Sequence, residues 1–206
     1  MYLSVVIVRP YSMYGVDQAY KLPLLAGIPG TYQTLEHMAA LVKRDSHDME
    51  IRNVALQIVQ GCGGHQFGCE ITNLFEFVRD HITYRRDPVG QERVQDAKRT
   101  LFVFRTGDCD DKVVLLASLL GSLGHRSRFV VLGYSPGNFA HVYLEVETRR
   151  GWIPLDPTPE RATAGWEASG VLRKTYEIFE TQRNGLSPLL LFAAIAGAAW
   201  ILLRGN

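Results

Sequence analysis

Residues 107–123 read GDCDDKVVLLASLLGSL. One cysteine stands among three acids behind a glycine, and the text then turns apolar at nearly every position. Asp108 is a favourable helix N-cap, and Asp111 stands where a capping box places an acid. A helix is therefore expected from Asp108 to Leu123. Past its first turn it carries Val113, Val114, Leu115, Leu116, Ala117, Leu119, Leu120 and Leu123. A helix apolar on most faces belongs at the centre of a core. Gly121 weakens its end and Gly124 stops it. Cys109 falls at the first helical position, among unbonded backbone N–H groups at the positive end of the helix dipole. Both favour thiolate, the nucleophilic form, and the Cys109 N–H is placed to donate to an oxyanion. Asp108, Asp110 and Asp111 work the other way and raise the thiol pKa. Activation therefore requires a histidine partner. The competing reading is a buried structural cysteine.

Downstream the period changes from helical to alternating. Residues 128–134, 139–147 and 152–156 read as strands. In the second, Val142, Leu144 and Val146 share one face, and His141, Tyr143 and Glu145 share the other. Thr148–Gly151 makes a turn, and Trp152-Ile153-Pro154-Leu155-Asp156 returns antiparallel. A four-residue loop pairs Tyr143 with Asp156, leaving His141 one diagonal away, about 7 Å between backbones. An odd-length loop breaks this geometry. Within side-chain reach, the Asp156 carboxylate fixes the imidazole tautomer and supports the imidazolium. The bland readings are a satisfied strand histidine and, for Asp156 before Pro157, a turn initiator.

Upstream, residues 31–60 have the apolar spacing of two helices broken near Arg44–Asp48, with Asp48 capping the second. A glycine-rich loop at 61–69 follows, then a helix over 70–82. Residues 84–106 are polar and irregular, and a helix is expected around Val171–Arg183. Helices first and strands later point to an α+β fold, with helices packed on an antiparallel sheet.

The stretches GDCDDKVVLLASLLGSLGHRSRFVV, FAHVYLEV and GWIPLDPTP together resemble the core of transglutaminase-like proteins. That family has a Gly-x-Cys helix start, a strand histidine and an aspartate in a W-x-x-L-D-P-T segment. Cys109, His141 and Asp156 match these in order, and Tyr84 resembles a tyrosine that often precedes the core in bacterial members. The resemblance covers roughly residues 70–160. It implies a papain-like fold and thioester acyl chemistry on amide or peptide bonds, with a peptide or protein substrate and no cofactor. His125 departs from the usual Gly-Ile/Val-Pro after the helix. The overall style is also similar to members carried by bacteriophages and their hosts. The expected organisation is an N-terminal helical region at 1–68, a catalytic core at 69–184 and a tail helix at 186–203.

The chain has 206 residues and a net charge of +1, enough for one ordinary core and without a basic footprint for nucleic acid. MYLSVVIVRP at the start is too short for a signal h-region. Three cysteines do not make a disulfide framework, and suggest a reducing compartment or one free thiol with a separate task. Cys62, His65, Cys69 and His81 raise the question of zinc, but C-x2-H-x3-C is not a recognised finger, and an ordinary loop or an occasional disulfide fits better. No calcium site is expected from Asp110 and Asp111 alone. Residues 186–203 carry no charge and are bracketed by Arg183 and Arg204. As a helix they span about 27 Å, near a bilayer core. Pro188 suits the first turn and Trp200 an interface. The expected address is a membrane, with the catalytic domain in the cytoplasm; the alternatives are a helix buried in the domain and a soluble cytoplasmic or virion-associated protein. Three functions stay open: a hydrolytic acyl-transfer enzyme, a silent scaffold of the same fold, and a membrane-bound interaction module.

Overall fold

The computed structural model describes residues 4–8, 19–64, 66–88 and 91–179, with backbone only for the first two short stretches up to 23. Helices α1 (Ile28–Asp45), α2 (Met49–Val59) and α3 (Phe67–His81) follow the expected periodicity. The break between α1 and α2 lies where the apolar spacing stops. Asp48 caps α2 there, accepting from the Glu50 and Ile51 amides at 2.8 and 3.3 Å. Helix α4 (Cys109–Ser122) is buried along almost its whole length, as its sequence requires. Each wholly buried aliphatic side chain contributes roughly 1.5–3 kcal/mol relative to exposure, so α4 organises the domain. Gly121 is a packing position: a Cβ there would lie 3.0 Å from that of Ser46, at the end of α1. Lys112 is buried although charged. Its Nζ donates to the Ile82 and Arg79 carbonyls at 2.8 and 3.2 Å, tying the end of α3 to the start of α4.

Strands β6 (Ser127–Gly133), β7 (His141–Thr148), β8 (Gly151–Leu155) and β9 (Leu172–Glu177) form an antiparallel sheet in the order β8-β7-β6-β9. Phe129, Val131, Val142, Leu144 and Val146 face the helices and join one buried cluster with them. The opposite face is closed as well. Glu145 is buried there between Arg128 (2.7 Å) and Arg173, and Arg128 lies over the Trp152 ring. One expectation is corrected: Leu172–Glu177 pairs with β6 and is an edge strand, not part of a helix over Val171–Arg183. Leu172 and Tyr176 are its half-buried residues. Their spacing of four is the spacing of one helix face, which explains the misreading.

Strands β1 (Ser4–Val8) and β2 (Ala19–Pro23) lie in the region expected to be helical and form a second sheet with β4 (Gln91–Val94). A two-residue parallel ladder joins β3 (Thr83–Tyr84) to β5 (Thr106–Gly107). Between them Arg99–Phe104 is a π-helical turn, ended by Arg105 at φ 53°. Cys62 and Cys69 form a disulfide and Cys109 is free. The odd count thus resolves into a pair and a single thiol, and the zinc reading loses two ligands. The bridge closes the loop that leads into α3. Its removal in the Cys62→Ser/Cys69→Ser variant should lower stability by about 2 kcal/mol, read in thermal unfolding. The expected tail helix at 186–203 lies outside the described residues. Among the described residues no helix is long and apolar enough to cross a membrane.

Candidate active site

The site is assembled where α4 begins beneath the sheet. The expected capping box forms: the Asp108 side chain faces the Asp111 backbone N–H, and Asp111 reaches back to accept the Asp108 amide at 3.3 Å. Gly107 makes this possible, because a Cβ there would lie 2.6 Å from Asp111 Oδ2. Cys109 is the first residue of α4 and is half-buried.

His141 opens β7 and Asp156 follows the last residue of β8. The β7–β8 ladder runs Thr148↔Gly151 through Leu144↔Leu155. This is the even register expected from the turn, and its next step sets Asp156 opposite Tyr143. Gly151, at φ 116°, supplies the backbone conformation that closes the turn. His141 Nε2 lies 2.7 Å from Asp156 Oδ2, and the other carboxylate oxygen accepts the Thr158 N–H at 3.1 Å. Asp156 is 0% exposed. The imidazole also stacks on Tyr143, with ring centroids 6.3 Å apart.

Cys109 and His141 line one cleft of about 370 Å³, with Asp108, Asp110, Glu92, Tyr84 and Arg86 on its polar side. Leu35 and Met38 of α1 line its apolar side. Cys109 and His141 thus line the same cleft, and Asp156 holds the imidazole through Nε2.

The sequence profile of the transglutaminase-like superfamily matches residues 52–157, just over half of the chain. The chain belongs to the transglutaminase-like superfamily. No curated protein sequence matches it. Among solved structures, a candidate cysteine protease from Cytophaga hutchinsonii is similar at 16% identity and TM-score 0.42, over 62% of this chain and 48% of its own. A candidate protease from Parabacteroides distasonis is similar at 14% identity and TM-score 0.46, over 77% and 36% respectively. The periplasmic domain of TgpA from Pseudomonas aeruginosa is similar at 22% identity and TM-score 0.39, over 57% and 48%. The chain spans less than half the length of each of these three.

In this transglutaminase-like domain the thiol stands in an acidic field. Burial pushes the Cys109 pKa up, Asp108 and Glu92 add to the push, and the total reaches about 12. The Val142 and Asp110 backbone amides pull down less. Burial, joined by the acids expected to raise the thiol pKa, therefore outweighs these two amides. Four of the neighbouring carboxyls are themselves pushed up, by burial first and then by the acids around them. Asp87 is raised to about 6, Glu92 to about 7 and Asp111 to about 8, with Asp110 well above the carboxylate range. Glu92 and Asp87 come from the 84–106 stretch, where no periodicity marked them. Their only signal was a pair of acids in a polar segment next to the motif.

Asp108, Asp110 and Asp111 hold one carboxylate oxygen each within 4.8 Å of the others. They make a poor metal cage. Asp111 Oδ1 already accepts the Gln95 amide at 2.7 Å, and Oδ2 accepts Gln95 Nε2 at 2.5 Å. What is left falls short of the six to eight oxygens that calcium takes.

Proposed function

We propose that this transglutaminase-like protein is a thiol-dependent acyl-transfer enzyme that hydrolyses amide or peptide bonds, with Cys109 as nucleophile, His141 as base and Asp156 as orienting acid. The buried His141–Asp156 contact beside a free thiol carries the reading. A carboxylate on Nε2 leaves Nδ1 to take the thiol proton. Cys109 Sγ then bonds to the substrate carbonyl carbon, and the carbonyl oxygen becomes an oxyanion facing the head of α4. Collapse breaks the C–N bond, and the imidazolium returns its proton to the leaving amine. Water gives a proton to His141 and adds to the thioester; the C–S bond breaks and the thiol is restored. The thiol is protonated at rest in this scheme, so the base must act during attack.

The raised thiol pKa favours a second reading, a scaffold of the same fold without turnover. Two measurements separate them. Iodoacetamide labelling of Cys109 should be slower than that of free cysteine at pH 7, because the thiolate is scarce, and should keep rising past pH 10. Levelling near pH 8–9 would contradict the acidic field. Hydrolysis of a peptide and glutamine-amide panel should vanish in Cys109→Ala. Equal turnover by that variant sinks the enzyme reading, and no turnover by the wild type favours the scaffold. In the same proposal, the apolar 186–203 segment anchors the protein to a membrane. The Cys62–Cys69 bond fits the oxidising side of that membrane better than the cytoplasmic side first expected.

A further inference from the structure

Three acids line the cleft against one arginine. Glu92, Asp108 and Asp110 stand around Cys109, and Arg86 forms no ion pair with them among the described residues. Asp110 is 4% exposed. Its Oδ2 and the Oδ1 of Asp108 are buried, and neither accepts a hydrogen bond from an N–H donor among the described residues; the hydrogen bonds of Asp110 to other side chains run to carboxyls, those of Asp108 and Glu92. Buried carboxylate oxygens normally have donors. Asp111 differs in this respect, since Gln95 satisfies it. Within the cleft, the buried oxygens without an N–H donor therefore belong to the two residues that flank the nucleophile.

We infer that the cleft selects peptides with a positively charged side chain, ammonium or guanidinium, on a residue next to the carbonyl that Cys109 attacks. This deepens the enzyme reading and rests on it. Asp108 and Asp110 adjoin Cys109 in the chain, so a cation bound to them lies within one side chain's reach of the sulfur. A guanidinium brings several N–H donors and matches oxygens that lack them. A metal ion is the poorer occupant, because Asp111 is already spent on Gln95. The same cation offsets the Asp108 and Glu92 charges, which add to burial in holding the thiol protonated. The right substrate would thus assist its own attack, and the preference should show in kcat as well as in KM.

The test separates binding from turnover. Full-length Cys109→Ala protein is titrated calorimetrically with Ala-Ala-Arg-Ala-Ala and with the same peptide carrying citrulline or norleucine in place of arginine. Citrulline keeps the shape and loses the charge. Arginine should bind at least about tenfold more tightly than citrulline, because a site with unpaired buried acceptors discriminates strongly. Added salt should shrink the ratio, and Glu92→Gln in the same background should cut it to about threefold or less. Equal constants, or no measurable binding of any peptide, would overturn the inference. So would calcium binding at these acids with the peptides still equal. Wild-type turnover is read separately. An arginine preference in binding without any cleavage leaves the recognition site standing and removes the enzyme reading.

Discussion

Asp156→Asn is expected to cut kcat/KM by about three to four orders of magnitude with little loss of thermal stability. The two carboxylate oxygens face different demands. Oδ1 accepts the Thr158 amide, and Oδ2 stands 2.7 Å from His141 Nε2. An asparagine can keep its oxygen on only one of them. With the oxygen on Thr158, its NH2 faces Nε2 and forces the imidazole proton onto Nδ1, the nitrogen the mechanism needs free for the thiol proton. With the side chain flipped, NH2 opposes the Thr158 N–H and the turn after β8 is strained. The first arrangement costs activity and not fold. Steady-state kinetics beside a thermal melt distinguish the cases. A variant with wild-type turnover would remove Asp156 from the mechanism and leave it a turn residue.

Raising the pH from about 5 to 8 should destabilise the protein, by on the order of 3 kcal/mol. Most proteins gain or hold stability over that range. In the unfolded chain carboxyls ionise near pH 4 (about 3.9 to 4.3). Folded, Asp87 keeps its proton to about 6, Glu92 to about 7 and Asp111 to about 8. Between those limits the folded state binds more protons than the unfolded one, so each rise in pH favours unfolding. Asp48 and Asp80 are shifted down and oppose the trend only at acid pH. Thermal unfolding at fixed ionic strength checks the direction. Glu92→Gln should flatten the profile, since a glutamine cannot carry the charge that burial penalises. A stability maximum at neutral pH would contradict the acidic field around Cys109.

The head of α4 was legible because several local rules agree there: a capping acid, a glycine before it and an apolar run after it. The His141–Asp156 contact was legible through arithmetic. Antiparallel pairing conserves the sum of residue numbers, and the turn at Thr148–Gly151 sets that sum. The break before Asp48 was legible for the same reason as the α4 cap. Other features were hidden by physics that a sequence does not display. Strand β9 is half-exposed at an edge, so its side chains alternate weakly and its identity comes from β6. Lys112 is a charged residue whose burial depends on carbonyls about 30 residues earlier in the chain. The acidic wall of the cleft is a tertiary product, in which Glu92 and Asp108 meet only after folding. Tyr84 was noted for its place in the sequence; folding puts it in the cleft with Cys109.

The short ladder between β3 and β5 joins Thr83 to Thr106 and Tyr84 to Gly107. It pins both ends of the 85–105 segment at a single place, one residue before the α4 cap. Lengthening a loop whose ends are already pinned costs little, because closure entropy grows only with the logarithm of length. That segment also brings Glu92 to the cleft. In the proposed enzyme the nucleophile thus rides on a rigid helix, and Glu92, one of the three acids of its cleft, is carried by a segment whose two ends meet at the head of that helix.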